Sequence, residues 1–461
     1  MDALPNVGRP GDRGGRRMTM VKSILTDPAV AAYLDTVCSQ VKAKAVHDDI
    51  RLEIAGHLEE LVSEMLESGL KTEEAVAEAL KAMGNPVEIG KGLHAAHRPS
   101  MEWNLIGLIA IMVVLAVVSL VAVHTSDERL YRLEPVLVYG AIGITAMVVM
   151  MFVNYRRLLR LSWPLYWGTV VIMLLTLFYG VEINGSTQWI LIGNFGFNVL
   201  HASPYLLLIA FAGVLHLEKE REAPNEGIVR LTILLRNVIV FAMIPISLYL
   251  LTSSMAQMLI YVLSLAILLL LSRRWRLILA SGVTGTGLFA IWQMLNPDFY
   301  EVLWGRINAY IQKHPDAVYQ SVKSLEAIRS GGLWGQGLDK KVVIPYATSD
   351  MLFSYLVYSF GWVFGAVIIV SSLLMAIRLF RIGKTLRDDY ANKLVIAVMA
   401  VLMVRMFWNI LMCLGWVPVI GMELPLILWH SGTIVEFAAL GLVLGAYRRK
   451  DMVSNSAPCV P

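Results

Sequence analysis

Long apolar runs recur along this chain from Trp103 almost to the C-terminus, and they restrict the fold more than any other feature. A helix of about 20 apolar residues crosses the hydrocarbon core of a bilayer, and in lipid every backbone polar group of a span must be bonded internally. The runs predict helices at 103–124, 136–155, 163–180, 199–217, 231–251, 255–272, 276–294, 351–376, 393–417 and 427–446. With 57% hydrophobic and 16% charged residues among 461, the composition excludes an ordinary soluble enzyme. We therefore predict an all-α, polytopic membrane protein with about ten transmembrane helices.

Basic residues are unevenly shared among the connections between these helices. Alternate connections carry clusters of them, namely Arg156, Arg157 and Arg160, then Arg273, Arg274 and Arg276, then Arg378, Arg381, Lys384, Arg387 and Lys393. By the positive-inside rule these connections are cytoplasmic. An even number of spans then predicts that both termini are cytoplasmic and that the long connection at 295–350 is external.

A charged, helix-periodic segment precedes the membrane part. Apolar residues recur at three- and four-residue steps between Ile50 and Leu66, and Gly69 and then Gly84-Asn85-Pro86 supply helix stops. The chain is predicted to divide into a disordered tail at 1–24, a small cytoplasmic domain of three short helices at 25–100, a membrane domain at 101–450 and a cytoplasmic tail at 451–461.

The small N-terminal domain resembles the permease-prefix or HAAS domain found in front of some permeases and sensors of Gram-positive bacteria. The residues that carry the resemblance are Glu53, His57, Leu58, Gly69, Glu74-Ala75, Gly84-Asn85-Pro86 and His94. His57 has two interpretations, a pH or ligand switch and an ordinary surface histidine, and the second is favoured.

The connection from Pro297 to Asp350 is much longer than a usual loop between elements. Its glycines, Gly331, Gly332, Gly335 and Gly337, would permit either close approach of a ligand or folding of the loop over helix ends. The pair Lys340 and Lys341 would hold a phosphate or remain solvated. Asp350 is an acid within one turn of the membrane surface, which favours a functional role, although it could simply cap the following helix.

Several motifs, taken in order, resemble the SEDS family of cell-wall proteins (FtsW, RodA and SpoVE). Asn184-Gly185 with Trp189 matches its first external motif, and Tyr319-Gln320 with Ser330-Gly331-Gly332 matches its central loop. Ser349-Asp350 matches the stretch around the family's essential Asp, and Asn409 with Leu424-Pro425 matches its last external turn.

The resemblance implies a peptidoglycan glycosyltransferase of the bacterial plasma membrane, which polymerises a lipid-linked disaccharide precursor during division, elongation or sporulation. It implies Asp350 as the catalytic residue. The implied candidates for substrate binding are Asn184, Trp189, Tyr319, Gln320, Ser330, Gly331, Gly332, Lys340, Lys341, Ser349, Arg405, Asn409 and Pro425. A divalent cation, Mg²⁺ or Mn²⁺, is the expected cofactor, with its ligands unknown. The expected partners are the lipid-linked precursor, membrane lipids and a single-span transpeptidase (a class B penicillin-binding protein), and no nucleic acid is expected.

Departures from the family pattern keep other functions open. His201 stands where the family has Glu in its fourth span, Arg405 stands where it usually has Gln, and His430 falls within its final Ser-Tyr-Gly-Gly-Ser motif. Arg405 is expected to pair with Glu436 of the last span. The alternatives are a non-catalytic signalling or scaffold relative that binds the precursor or a partner, and a transporter of the lipid-linked precursor.

Overall fold

The computed structural model of the chain describes residues 27–42, 47–96, 100–126, 133–183, 185–193, 195–220, 227–297, 301, 304–305, 308, 310–312, 315–338 and 344–451. The chain divides into two compact units, Met1–Ser100 with Arg448–Pro461, and Met101–Tyr447. The predicted tail at 1–24, and all of the tail at 451–461 except Asp451, lie outside the described residues.

The N-terminal unit contains four helices in its described part, one more than the sequence predicted. They are α1 (Pro28–Gln40), α2 (His47–Glu67), α3 (Thr72–Met83) and α4 (Pro86–Ala96). The Gly84-Asn85-Pro86 stop also starts α4, because the Asn85 side chain accepts a hydrogen bond from the Val87 amide at 2.9 Å. The helices bury a small apolar core that includes Leu34, Val37, Leu58, Ala75 and Ala79. His57 is exposed on α2, in agreement with the surface interpretation.

All ten predicted apolar segments are helical over most of their length. The membrane unit contains α5 (Trp103–Ser126), α6 (Leu133–Phe152), α7 (Arg156–Arg160), α8 (Ser162–Tyr179), α9 (Val199–Glu220), α10 (Gly227–Val238), α11 (Ile244–Leu251), α12 (Met255–Leu271), α13 (Trp275–Leu295), α14 (Pro315–Gly331), α15 (Leu352–Thr385), α16 (Asp389–Cys413) and α17 (Thr433–Arg448). In the described part, 8 helices are long and apolar enough to cross a membrane, with α10 and α11 counted as one across a π-helical turn. The other two predicted spans are α12 and α17, with 17 and 16 residues. The chain is thus an all-α polytopic membrane protein, as predicted.

The last two spans begin at other residues than the sequence predicted, and local capping explains one of these shifts. α16 starts earlier because the Asp388 side chain caps it, accepting a hydrogen bond from the Tyr390 amide at 2.9 Å. α17 starts six residues late, at Thr433 rather than at 427, because residues 427–432 belong to the connection before it. We call this connection, residues 414–432, the final turn.

A three-stranded antiparallel sheet between α8 and α9 is absent from the helical prediction. Its strands are β1 (Val181–Ile183), β2 (Ser186–Ile192) and β3 (Phe195–Asn198), paired in the order β1-β2-β3. Asn184-Gly185 between β1 and β2 is a strong hairpin signal that could have identified the sheet from the sequence.

Helices α9 and α16 form the centre of the membrane unit. They are mostly buried within the protein, whereas α6 and α13 are mostly exposed. α16 packs against α9, α12 and α15. Polar side chains on α16 are therefore held in the protein interior, away from lipid.

Candidate active site

The glycine-rich segment after α14 fills a break in α15. α15 departs from helical geometry at Gly361, where φ is 83° and ψ is 177°. The amides of Gln336 and Gly337 donate to the carbonyls that precede the break, those of Tyr358 and Ser359, at 2.9 and 3.1 Å. The amides of Trp362 and Val363, which follow the break, donate to the loop carbonyls of Gly332 and Leu333 at 2.9 and 3.2 Å. The loop thus satisfies backbone groups that the break would otherwise leave without partners.

Glycine is required where this loop meets α15. A Cβ atom at Gly335 would lie 2.2 Å from the carbonyl oxygen of Ser359, and a Cβ atom at Gly361 would lie 2.2 Å from the carbonyl oxygen of Leu333. Of the two roles left open by the sequence, the structure supports folding of the loop over helix ends at these positions.

Asp350 lies in the turn immediately before α15, and its backbone is fixed by α16. The Asn409 amide nitrogen Nδ2 donates to the Asp350 carbonyl at 2.9 Å and to the Met422 carbonyl at 2.6 Å. The Cys413 thiol lies 3.6 Å from the same Asp350 carbonyl. Asn409 is buried, so this one side chain joins the Asp350 turn to the final turn.

The carboxylate of Asp350 does not cap the eighth predicted span. The N-cap position of α15 is Met351, and no side chain caps this helix. Among the described residues, the Asp350 carboxylate forms neither a hydrogen bond nor an ion pair. Burial, and secondarily the nearby carboxylate of Glu423, raise the pKa of Asp350 to about 7. A carboxylate with such a pKa is suited to accept a proton at neutral pH.

A second pair of ionisable residues lies in the final turn. His430 Nδ1 accepts a hydrogen bond from the Gly432 amide at 3.0 Å, so His430 Nε2 carries a proton and donates it to Glu423 Oε2 at 2.8 Å. Burial alone would raise the pKa of Glu423 and lower that of His430. Their mutual attraction outweighs burial, so that the pKa of Glu423 is lowered and that of His430 is raised. Glu423 is therefore ionised at neutral pH and is held by the hydrogen bond from His430.

Arg405 is buried, and its side chain is bonded to α9 and α12. Its guanidinium donates to His201 Nδ1 at 2.8 Å, to the His201 carbonyl at 2.9 Å and to Gln257 Oε1 at 2.7 Å. Because Arg405 occupies Nδ1 of His201, Nε2 carries the proton and donates to Glu436 Oε1 at 3.1 Å. The predicted direct pairing of Arg405 with Glu436 is wrong, because the imidazole of His201 lies between them.

The two groups of residues meet through their histidines. The ring centroids of His201 and His430 are 4.7 Å apart in an edge-to-face arrangement. Glu436 also accepts a hydrogen bond from the Leu426 amide at 2.9 Å, which fastens the final turn to α17. From the sequence, His201 and His430 were identified only as departures from a family pattern, and Glu423 was not identified as a candidate. The signal that could have identified this pair is an acid and a histidine in one short turn next to a span.

Donor atoms of His201, Glu423 and His430 all lie within 4.8 Å of one another, as a metal site would require. Both ring nitrogens of His201 are already bonded, however, and one of them to the permanent cation of Arg405. A metal ion at this nitrogen would have to displace a guanidinium, so the arrangement does not fit a vacant metal site. Binding of Mg²⁺ or Mn²⁺ remains a prediction.

The structure brings only some of the predicted site residues together. Asp350, Ser349 and Asn409 lie around the start of α15, and Pro425 lies in the final turn next to the residue bonded by Glu436. Other candidates lie on or after α14, namely Tyr319, Gln320, Ser330, Gly331 and Gly332, and α14 packs against α15 and α16. Trp189 lies on β2. Asn184, Lys340 and Lys341 lie outside the described residues.

Comparison with known proteins finds relatives over most of the chain. The FtsW/RodA/SpoVE family model, described as "Cell cycle protein", matches residues 98–451. A peptidoglycan glycosyltransferase MrdB from Helicobacter pylori is 27% identical over 361 residues, which is 75% of this chain and 89% of that protein. A probable peptidoglycan glycosyltransferase FtsW from a Geobacter species is 24% identical over 350 residues, which is 74% of this chain and 93% of that protein.

Solved structures share the fold. One, described as "Structural coordination of polymerization and crosslinking by a peptidoglycan synthase complex", is 22% identical, with a TM-score of 0.60 over 76% of this chain and 98% of that chain. Rod shape determining protein RodA of Thermus thermophilus is 23% identical, with a TM-score of 0.55 over the same shares. Because the family model spans most of the chain, this protein belongs to the FtsW/RodA/SpoVE (SEDS) family of polytopic membrane proteins.

Proposed function

We propose that this chain is a peptidoglycan glycosyltransferase that polymerises a lipid-linked disaccharide precursor, with Asp350 as the general base. The observation that carries the proposal is the state of the Asp350 carboxylate. This carboxylate is partly desolvated and, among the described residues, neither caps a helix nor forms an ion pair. Asp350 lies in a turn that Asn409 fixes through the backbone. The curated relatives named as peptidoglycan glycosyltransferases, which match about three quarters of the chain, support the choice of reaction.

Asp350 would act on the hydroxyl group of the acceptor sugar. The hydroxyl oxygen attacks the anomeric carbon of the donor sugar and forms the new glycosidic bond, while its proton passes to the Asp350 carboxylate. The bond from the anomeric carbon to the lipid pyrophosphate breaks, and the pyrophosphate leaves with the bonding electrons. The proton on Asp350 then returns to water, which restores the base.

A polymerisation assay tests this function directly. The purified full chain, supplied with lipid II and Mg²⁺ or Mn²⁺, should form glycan strands that are resolved by gel electrophoresis. Asp350→Asn should abolish the strands, because an amide cannot accept the proton. Glu182→Gln is the matched control, since it makes a carboxylate-to-amide change on the exposed strand β1, and it should retain activity.

The same assay separates the alternatives. If the wild type forms no strands but both proteins bind lipid II, the chain is a scaffold or signalling relative. If labelled precursor crosses the vesicle bilayer without polymer formation, the chain is a transporter. A single-span transpeptidase is the proposed partner, supported by the fold shared with a chain of a complex that coordinates polymerisation and crosslinking.

A further inference from the structure

We infer that Glu423, fixed in place by His430, is a positioning residue that acts on Asp350 through its negative charge. The importance of Glu423 for catalysis rests on the proposed function, but its effect on the ionisation of Asp350 can be measured without an activity assay. It assigns a role to a pair of residues that the reaction scheme above does not use.

The backbone places the two acids in neighbouring turns. Asn409 Nδ2 donates both to the carbonyl of Asp350 and to that of Met422, the residue before Glu423. A Cβ atom at Gly421 would lie 3.8 Å from Asp350 Oδ2, so the Asp350 carboxylate faces the segment that carries Glu423. One buried amide therefore fixes the spacing of the two acids.

The side chain of Glu423 is held in one orientation. His430 donates to it at 2.8 Å and is itself fixed by the Gly432 amide at 3.0 Å. The Glu423 side chain is 30% exposed and the His430 side chain is 14% exposed. The His430 ring packs edge-to-face against His201, whose two ring nitrogens are bonded to Arg405 and Glu436.

The charge that Asp350 experiences comes mainly from the acid of this pair. Among the described residues, the ionisable groups facing Asp350 are Glu423 from the final turn and Cys413 from α16. His430 is bonded to Glu423, and His201 contacts His430. A neighbouring negative charge favours the protonated form of a carboxyl group and makes the ionised form a stronger base. The hydrogen bond from His430 helps to keep Glu423 ionised.

The charge of Glu423, rather than its volume, should therefore influence the pKa of Asp350. Glu423→Gln keeps the size of the side chain and removes the charge, so it should make Asp350 easier to ionise. Glu423→Asp keeps the charge in a shorter side chain. A purely structural residue would respond to the change of length at least as much as to the loss of charge, so a shift in Glu423→Gln that is small in Glu423→Asp is the specific signature of the proposed role.

The test is the pH dependence of carbodiimide labelling of Asp350, because carbodiimides react with protonated carboxyl groups in apolar surroundings. The full chain in lipid vesicles is treated with dicyclohexylcarbodiimide across a range of pH, and mass spectrometry gives the labelled fraction of the Asp350 peptide. The wild-type midpoint should lie near pH 7. Glu423→Gln should lower the midpoint by about one pH unit, and Glu423→Asp should leave it nearer to the wild-type value.

Controls separate this effect from unfolding and from failure of the proposed function. Glu182→Gln removes a carboxylate on exposed β1 and should leave the midpoint unchanged. Each variant must keep the wild-type elution volume and melting temperature. An unchanged midpoint in Glu423→Gln, or an equal shift in Glu423→Asp, would overturn the inference. So would stoichiometric zinc in the purified protein that is lost in His430→Gln, because the cluster would then be a metal site. An inactive wild type with the expected shift in Glu423→Gln would refute only the proposed function.

Discussion

Asn409 Nδ2 donates at 2.9 Å to the backbone carbonyl of Asp350, and the same nitrogen donates at 2.6 Å to the carbonyl of Met422. The predicted base is therefore positioned by a buried side chain of the central helix α16, and no described residue bonds its carboxylate. This relationship links the last three spans of the fold to the proposed reaction.

Replacing Asn409 should affect activity more than stability. Asn409→Leu removes the donor that the carbonyls of Asp350 and Met422 share, which should cost about 1 to 3 kcal/mol of unfolding free energy. Displacement of the Asp350 turn should also reduce glycan polymerisation by roughly 10-fold to 100-fold. Thermal unfolding and the polymerisation assay, carried out on the same preparations, measure the two effects.

Asn392→Leu is the matched control for this prediction. The side chain of Asn392 donates to the Gly383 carbonyl at 2.7 Å, near the ends of α15 and α16 that lie away from Asp350. It should lower stability while largely preserving activity in the protein that remains folded. If both variants lost the same fraction of activity for the same loss of unfolding free energy, this would argue against a positioning role for Asn409.

Activity should rise with pH through the neutral range. Asp350 acts as a base only when ionised, and its pKa is raised to about 7, so polymerisation should be weak near pH 6 and approach a plateau near pH 8. The measurement is the initial rate of polymerisation against pH at saturating lipid II. A rate independent of pH over this range would contradict the raised pKa.

The same shift predicts a pH-dependent effect of Asp350→Asn on stability. The folded pKa lies above the model value of 3.8, so the folded chain binds more protons than the unfolded chain between about pH 4 and pH 7. Ionised Asp350 therefore destabilises the fold increasingly as pH rises through this window. Asp350→Asn should be more stable than the wild type at pH 8, and the difference should shrink toward pH 4. Chemical unfolding at both pH values measures it.

The sequence was sufficient for the fold because lipid imposes a simple requirement on each span. Apolar length alone located all ten helices, including α16, whose start differs from the prediction only through the Asp388 cap. The sheet β1-β2-β3 was missed because it lies in a connection where hydropathy carries no such constraint, although Asn184-Gly185 was a usable signal.

The site was only partly predictable from the sequence. Asp350 and Asn409 were identified through local motifs, but their connection depends on the packing of α16 against the start of α15. The position of His201 between Arg405 and Glu436 joins residues more than 200 positions apart in the chain. Periodicity within one helix cannot report such a contact, which explains why a direct pair of opposite charges was predicted instead.

The corrected network predicts a specific pattern of coupling between Arg405 and Glu436. Because His201 connects the two residues, Arg405→Gln and Glu436→Gln should each destabilise the protein, and the double variant should be less destabilised than the sum of the two, by roughly 0.5 to 3 kcal/mol. In a His201→Ala background the coupling should largely disappear. Double-mutant cycles on the unfolding free energy test this, and undiminished coupling without His201 would restore the direct pair.

The break in α15 provides a prediction with an internal control. Gly335 and Gly337 both have a φ of 84°, so alanine at either position incurs a similar backbone strain of about 1 kcal/mol. A Cβ atom at Gly335 would also lie 2.2 Å from the Ser359 carbonyl, whereas nothing lies within 4 Å of one at Gly337. Gly335→Ala should therefore push the loop out of the break and lower the melting temperature well beyond Gly337→Ala. Since the loop bonds the backbone on both sides of Gly361, polymerisation should also fall further in Gly335→Ala. Equal melting temperatures would show that the loop does not occupy the break. The difference in melting temperature between the two alanine variants measures the contribution of the close contact between Gly335 and the Ser359 carbonyl.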